Sequence, residues 1–221
     1  MKKIPPIFSS REVGQRKMMF PIPLFPSLTH RLEVPEFEKI KEKLIEYVYN
    51  ENKKNQEGVL RSNIGGWHSS SHYNRSNNLI SSTLLPVLKD YFSNRQIFKS
   101  NFEMVCNSMW ININKKGDSN TLHTHPGCDL SGVFWIKVPD NSGVLEFVNP
   151  NDFPEYNLLH VYSEEIKRTS RAYQSYWFPP YEGGILLFPA HLHHGVKPNT
   201  SNEDRISVSF NISLIPLKYE T

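Results

Sequence analysis

An almost strict alternation of polar and apolar side chains over residues 204–215 constrains the fold more than any other feature. The segment reads DRISVSFNISLI. The two alternating sets are Ile206, Val208, Phe210, Ile212 and Leu214 against Arg205, Ser207, Ser209, Asn211 and Ser213. A period of two places these sets on opposite faces of an extended strand. The sequence therefore predicts a β-strand with one buried face and one polar face.

The same period recurs elsewhere in the C-terminal half of the chain. In MWININ, one face carries Trp110, Asn112 and Asn114, and the other carries Met109, Ile111 and Ile113. Shorter apolar runs (SGVFWIKV, GVLEFV and GGILLFP) are separated by turn-rich connections such as PDNSG. These patterns predict a mainly β fold built of antiparallel strands, as a barrel or sandwich with a polar interior cavity.

The first hundred residues predict extended chain and two helices. Residues 1–33 hold several prolines, as in IPPIF and FPIPLFPS, and proline disfavours a helix. After Pro35, one helix is predicted from an apolar stripe at helical spacing, made by Phe37, Ile40, Leu44, Ile45 and Val48. Residues 62–76 are rich in Gly, Ser and Asn and predict a loop. A second helix is predicted from Leu79 to Phe92, and it must begin or bend at Pro86.

The chain length fits one structural domain, which we divide into two regions. Residues 1–100 are expected to form an N-terminal extended and helical region that packs on a β-rich core of residues 101–221. Within this core, a Tyr-rich insert between Val148 and Gly183 shows no clear periodicity. Inserts of this length are usually functional lids or variable decoration.

Composition argues against several classes of protein. The net charge is only +3, and no stretch concentrates Lys and Arg as a nucleic-acid groove requires. No run approaches the roughly 18 apolar residues of a membrane span, and the N-terminus lacks the apolar run of a signal peptide. The two cysteines, Cys106 and Cys128, fit no zinc or haem spacing. We therefore expect a cytoplasmic protein with reduced thiols and with no nucleic-acid or membrane partner.

A pair of histidines in NTLHTHPG is the first candidate for a functional site. His123 and His125 stand at positions i and i+2, so both rings leave the same face of an extended backbone. A third imidazole could come from FPAHLHHGVKPN, which holds His191, His193 and His194. Three convergent ligands beside open positions suit an O₂-activating iron or a hydrolytic zinc.

Arg205 and Ser207 add a candidate anion site to these histidines. Both stand on the polar face of the last predicted strand, eleven and thirteen residues after His194. A guanidinium matches a carboxylate bidentately, so a cation and a hydroxyl that point into a polar cavity would clamp a carboxylate.

The order of these motifs resembles the Fe(II)/2-oxoglutarate-dependent oxygenases, and most closely their prolyl-4-hydroxylase-like branch. NKKGDSNTLHTH matches the branch's Tyr-x-x-Gly-x-x-Tyr-x-x-His-x-Asp run, with Asn114 and Asn120 where the tyrosines would stand and with Gly117 retained. GGILLFPAHLHHGVKPNTSNEDRISVSFNI matches the later Gly, Phe-Pro, His-x-Val and Arg-x-Ser pattern. HTHPGCDLSGVFWIKVP together with SNIGGWHSS is similar to 2-oxoglutarate/iron oxygenases of marine bacteria and their phages.

The resemblance implies a double-stranded β-helix (a jelly-roll, cupin-like core) and a role for each motif residue. His123 would be the proximal metal ligand and His194 the distal one, because the family's ligand directly precedes the step matched by Gly195-Val196. Arg205 and Ser207 would grip the far carboxylate of 2-oxoglutarate, with help from Asn114 or Asn120. His125 stands where the family has an acidic ligand, and Asp129 is the alternative if the chain turns at Pro126-Gly127. A degenerate site that binds zinc or nothing is the remaining alternative.

The implied activity is hydroxylation of a C–H bond with Fe(II), 2-oxoglutarate and O₂, with release of succinate and CO₂. A prolyl or other peptide C–H bond is favoured as substrate, while a free amino acid or a small metabolite stays open. Trp110, Asn112, Ser209 and Asn211, on the polar strand faces, would surround the metal. The tyrosines and Trp177 of the insert over residues 149–182, with Trp67 and His68 from the loop, would build a substrate mouth. The alternatives are a cupin-like metal-dependent enzyme that is not an oxygenase and a non-catalytic binding module.

Overall fold

The computed structural model describes residues 26–217 except 72, 75, 76, 95, 96, 99, 100 and 151–157. Most of the predicted Pro-rich extended segment, residues 1–25, lies outside the described residues.

Two antiparallel β-sheets dominate the structure, as the period-two patterns predict. The strands are β1 His30–Glu33, β2 Asn63–Ile64, β3 Trp67–His68, β4 Phe102–Asn114, β5 Ser119–His123, β6 Leu130–Lys137, β7 Leu145–Val148, β8 Ser175–Phe178, β9 Gly184–Pro189, β10 His194–Val196 and β11 Arg205–Pro216. One sheet has six strands in the order β1-β9-β6-β11-β4-β3, and the other has five in the order β2-β5-β10-β7-β8. The prediction of a mainly β fold is confirmed.

The alternating strand β11 lies in the middle of the six-stranded sheet, where it pairs with β4 and β6. Four of its apolar residues are completely buried in the main hydrophobic core: Ile206, Val208, Phe210 and Ile212. The opposite face lines a cavity between the two sheets through Arg205, Ser207 and Ser209. Both predicted faces of the strand are therefore confirmed.

Two helices cover the apolar face of the six-stranded sheet. Helix α1 spans Lys41–Lys54 and α2 spans Leu79–Ser93, and both bury residues in the core cluster that contains the apolar face of β11. The first helix begins later than the apolar stripe predicts, because Glu36 has a left-handed φ of 52° and Phe37–Lys39 form a separate 3-10 turn. Helix α2 begins at a capping box between Asn78 and Ser81. Pro86 lies inside it, so the helix does not begin at this proline.

The prediction of a continuous loop over residues 62–76 is wrong in part, because this segment contains two short strands. Strand β2 pairs with β5 in the five-stranded sheet, and β3 pairs with β4 in the six-stranded sheet. Gly65 and Gly66 connect them with φ values of 67° and 65°, a conformation that glycine adopts at little cost. This turn carries the chain from one sheet to the other, and period-based analysis missed it because each strand has only two residues.

The predicted insert between Val148 and Gly183 also contains regular structure. A short helix, α3, spans Glu164–Ser170, and β8 forms an edge of the five-stranded sheet beside β7. Among the described residues, no helix is long and apolar enough to cross a membrane.

Candidate metal and co-substrate site

Strand register brings the first two candidate ligands together. His123 ends β5, His194 begins β10, and the two residues are direct partners in the antiparallel pairing of these strands. Their ring centroids lie 4.4 Å apart. The ring of His125 reaches the same point, with its Nε2 atom 3.2 Å from Nε2 of His194. One ligand atom from each of the three histidines can be chosen so that all lie within 4.8 Å of one another.

The backbone orients two of these rings. Nδ1 of His123 lies 2.8 Å from the carbonyl of Thr121, and Nδ1 of His194 lies 2.8 Å from the carbonyl of Leu192. Since a carbonyl oxygen only accepts, each Nδ1 carries the hydrogen and each Nε2 keeps a lone pair. Burial lowers the pKa of His194 to about 3 and that of His125 to about 4. The cluster thus offers neutral nitrogen donors, which is the form that binds a metal.

The other histidines and the alternative acidic ligand lie elsewhere. His191 and His193 are exposed, whereas His194 is buried. The Asp129 carboxylate accepts a hydrogen bond of 2.7 Å from the backbone N–H of Leu214, near the end of β11. Of the two candidates for the third position, the structure therefore brings His125 and not Asp129 to the cluster.

Arg205 is a buried cation to which the described residues offer no anionic partner. The residue is only 2% exposed to solvent, and its Nη1 donates a hydrogen bond of 2.6 Å to the carbonyl of Ser142. No carboxylate within the described part of the chain lies within ion-pair distance of it. Burial lowers the pKa of Arg205 to about 10, and the more distant charge of Asp118 opposes this shift. A desolvated guanidinium with free N–H donors is a strong site for an incoming carboxylate.

The histidine cluster and Arg205 open into one cavity. Ser207, Asn114 and Asn120 also line it, so all seven predicted site residues meet there. Asn114 is the strand partner of Arg205, and Asn120 donates a hydrogen bond of 3.3 Å from Nδ2 to Oγ of Ser62. The hydroxyl of Ser142 is buried beside this group and has no hydrogen-bond partner among the described residues.

Not every residue predicted around the metal and at the mouth faces this cavity. Trp110, Asn112 and Ser209 line it, but Asn211 instead bonds Ser108 and Ser131 farther along the sheet. Among the described residues predicted at the mouth, neither the tyrosines of the insert nor Trp67, His68 and Trp177 line the cavity. Trp67 is buried and donates to the carbonyl of Asn55, His68 stacks on Trp110 with ring centroids 5.4 Å apart, and Trp177 is exposed.

Several lining residues were missed from the sequence: Ser62, Gly132, Val133, Trp135, Gly143, Leu145, Pro180, Phe188 and Val196. The period of two in β6 could have indicated Val133 and Trp135. Ser62 is the first residue of the SNIGGWHSS motif, and its position at the cavity depends on the pairing of β2 with β5.

Comparison with known proteins agrees with this site. Residues 108–211 match a family described as "Putative 2OG-Fe(II) oxygenase". This segment is nearly half of the chain, and it contains the three histidines, Arg205 and Ser207. None of the curated proteins matches the chain in sequence.

Solved structures share the fold at low sequence identity. The carbocyclase SnoK from nogalamycin biosynthesis, described as non-heme and alpha-ketoglutarate-dependent, aligns with a TM-score of 0.59 and 12% identity, over 83% of this chain and 78% of its own. A prolyl hydroxylase from Trichoplax adhaerens aligns with a TM-score of 0.58 and 12% identity, over 84% of this chain and 83% of its own. A prolyl-4-hydroxylase from Pseudomonas putida aligns with a TM-score of 0.57 and 10% identity, over 86% of this chain and 92% of its own. At these identities the likeness shows the fold alone, which is the double-stranded β-helix.

The match and the shared fold indicate the class of protein that this chain resembles. Residues 108–211 are similar to the 2OG-Fe(II) oxygenases, and the three histidines that could hold a metal lie within this segment.

Proposed function

We propose that the chain hydroxylates a C–H bond of a peptide, with a prolyl residue as the first candidate. In this proposal His123, His125 and His194 hold Fe(II). Arg205 and Ser207 bind the far carboxylate of 2-oxoglutarate, and Asn114 and Asn120 help to hold the co-substrate. The observation that carries the proposal is the meeting of the histidine cluster and an unpaired buried guanidinium in one cavity.

The donor set fits Fe(II). Imidazole nitrogens suit iron, and a site with three protein ligands keeps positions open beside them. When bound, Fe(II) and 2-oxoglutarate supply the O₂-dependent oxidative decarboxylation that releases succinate and CO₂ and drives hydroxylation of the substrate. The neighbouring backbone carbonyls of Thr121 and Leu192 fix the ring tautomers, which is how outer contacts normally orient metal ligands.

The protein's remaining contribution is to bind and orient the co-substrate. Because Arg205 is held by the carbonyl of Ser142, its remaining N–H donors are available to a carboxylate. Ser207 lies two residues further along the same strand and lines the same cavity, so its hydroxyl can add a hydrogen bond. In this proposal, the guanidinium and the hydroxyl together fix the direction of the bound carboxylate.

The charge of the cavity supports a peptide over a free amino acid. Among the described residues, Arg205 is the only permanently charged side chain that lines the cavity, and the proposal assigns it to the co-substrate. A free amino acid would bring an ammonium and a carboxylate into a wall that offers neither a matching charge nor a full set of polar partners. A peptide-bound residue carries neither charge. Two of the enzymes with the same fold are prolyl hydroxylases, which is consistent with this substrate class.

Anaerobic absorption spectroscopy tests the metal and co-substrate roles. Addition of Fe(II) and 2-oxoglutarate to the wild-type protein should produce a weak metal-to-ligand charge-transfer band in the visible range. R205A should require a far higher 2-oxoglutarate concentration, whereas R168A, at an exposed position of α3, should behave as wild type. Metal binding without this band would contradict the proposal and favour the cupin-like, non-oxygenase alternative.

A turnover assay tests the substrate class. Proline-containing peptides should stimulate succinate formation, while free proline at the same concentration should not. Stimulation by free proline alone would contradict the peptide proposal and leave the oxygenase chemistry intact. Mass spectrometry of the stimulating peptide should then show the gain of one oxygen atom.

We also propose that the enzyme works in a reducing, cytoplasmic compartment. Cys106 and Cys128 are both free in the structure. Alkylation of the protein directly in cells should therefore trap two thiols per chain, and a disulfide-linked or secreted form would contradict the proposal.

A further inference from the structure

A segment outside the core carries a hydroxyl group to the metal-binding cluster. Ser62 belongs to the stretch before β2, and Thr121 holds it in place. The backbone N–H of Thr121 donates to the carbonyl of Ser62 at 2.9 Å, and the Thr121 hydroxyl donates to the same oxygen at 3.2 Å. These contacts anchor the main chain and leave the Ser62 side chain free to line the cavity.

The Ser62 hydroxyl lies between two residues of the proposed site. It accepts the hydrogen bond of 3.3 Å from the Asn120 amide. On its other side, its oxygen lies 3.5 Å from Nε2 of His123. Since Nδ1 of His123 carries that ring's hydrogen, Nε2 is the acceptor and the serine is the donor. At this length the hydrogen bond is weak, so the Ser62 hydroxyl would readily donate to a stronger acceptor nearby instead.

We propose that Ser62 binds the metal-proximal end of 2-oxoglutarate, as the counterpart of Arg205 at the far end. This inference rests on the proposed function. In the proposed site, Nε2 of His123 binds the metal, so its lone pair is then no longer available to Ser62. The hydroxyl must then donate to another acceptor, and the near carboxylate of the co-substrate is the strong acceptor that the site brings there. Asn120 keeps the serine oxygen in place from the opposite side.

The proposal separates metal binding from co-substrate binding, and titration calorimetry measures both. Mn(II), which stands in for Fe(II) without reacting with O₂, is titrated into the metal-free protein. 2-Oxoglutarate is then titrated into the Mn(II)-loaded protein. In S62A, we expect 2-oxoglutarate affinity to fall about tenfold, because a charge-assisted hydrogen bond is lost. Mn(II) affinity should stay within about twofold of wild type, since Ser62 is not a ligand.

Three further variants distinguish a lost donor from a disturbed loop. S62T keeps the hydroxyl and should retain 2-oxoglutarate affinity. S62C keeps the size but has a poor donor and should resemble S62A, which keeps the test usable if S62A folds poorly. T121V removes the side-chain anchor of the loop but leaves the Ser62 hydroxyl, so it should retain affinity.

Each outcome has a separate meaning. Unchanged 2-oxoglutarate affinity in S62A and S62C would overturn the role of Ser62, as would a loss in T121V equal to that in S62A. Failure of the wild-type protein to bind 2-oxoglutarate after loading with Mn(II) would instead count against the proposed function itself.

Discussion

We propose that the buried guanidinium of Arg205 is placed for co-substrate binding at the expense of stability. Desolvation of a charge without an ion-pair partner destabilises the folded state, and the lowered pKa of Arg205 has the same cause. The depressed pKa also sets the sign of the effect, because the folded chain holds this proton less tightly than the unfolded chain does. Below pH 10 the buried charge therefore reduces the free energy of unfolding.

Replacement of Arg205 by methionine should consequently separate stability from function. We expect the free energy of unfolding of R205M to equal that of the wild-type apoprotein or to exceed it by up to about 4 kcal/mol. The reason is that apolar side chains often replace buried charges favourably. Its affinity for 2-oxoglutarate should fall by at least about 100-fold, as expected for loss of a buried, charge-assisted contact. Urea unfolding and calorimetry measure the two quantities. A clearly destabilised R205M would contradict the view that the charge is unpaired.

His125 is a residue where this chain departs from the motif of the oxygenases that it resembles. In the proposed site, three neutral imidazoles would not offset the charge of Fe(II), and both carboxylates of 2-oxoglutarate would meet a more positive site.

Substitutions at His125 should show that this position binds the metal. H125A should lose more than the roughly 10- to 100-fold in Fe(II) affinity that removal of an outer partner costs. H125D restores an acidic ligand and should bind Fe(II) at least as tightly as the wild-type protein. Anaerobic titration of Fe(II) checks both, with H193A at the exposed neighbouring histidine as the matched control. Wild-type affinity in H125A would show that the third ligand lies elsewhere.

At the scale of single elements, the proline in α2 is an unfavourable choice that nothing around it explains. Pro86 lies in the helix interior and its side chain is exposed. It has no backbone N–H, so the carbonyl of Ser82 loses its helical partner.

Substitution of Pro86 by alanine should therefore stabilise the protein. We expect P86A to raise the free energy of unfolding by about 1–3 kcal/mol, less than the full propensity difference because proline also restricts the unfolded chain. S82A, at another exposed position of the helix, should change it by no more than about 0.7 kcal/mol. Urea denaturation distinguishes the two, and a destabilised P86A would indicate that the proline has a packing role.

The sequence predicted long elements better than short ones, and the reason is physical. Strand β11 repeats its alternation over twelve residues, so its two faces were predictable residue by residue. Strands β2 and β3 have two residues each, too few for any period to appear. Their formation depends on pairing with β5 and β4, which lie far away in the sequence.

The residues of the candidate site also differ in how well the sequence predicts them. His123, His194 and Arg205 stand in motifs with fixed spacing, which made their selection possible before the fold was known. Ser62 escaped selection because it reaches His123 from 61 residues away. Trp67 was predicted at the mouth from its residue type alone, and it packs in the core instead.

At the scale of the whole molecule, the two predicted regions are interwoven. The first hundred residues supply three strands that pair with strands of the core: β1 pairs with β9, β2 with β5 and β3 with β4. Both long helices also bury their apolar faces against the six-stranded sheet. The boundary near residue 100 remains a prediction about sequence organisation.

We expect a fragment of residues 101–221 not to fold on its own. Without α1 and α2, the apolar face that includes Met109, Ile111 and Phe210 would be exposed to water. Such a face promotes association and leaves little net stability for the isolated sheet. Expression of the fragment followed by thermal unfolding tests this, with the full chain as control. A cooperative transition in the fragment would instead identify it as an independent domain.

The direct pairing of His123 with His194 has a consequence for assembly in the cell. Strand β10 has only three residues, and a slip of this strand by one residue would turn the His194 imidazole to the opposite face of the sheet, away from His123. If the histidine cluster binds iron as proposed, only chains with the correct strand alignment can take up the ion, and iron supply would select the properly assembled population. Newly made enzyme from iron-starved cells should accordingly be heterogeneous at this pair of strands, and amide hydrogen exchange along β5 should become slower and uniform when iron is restored.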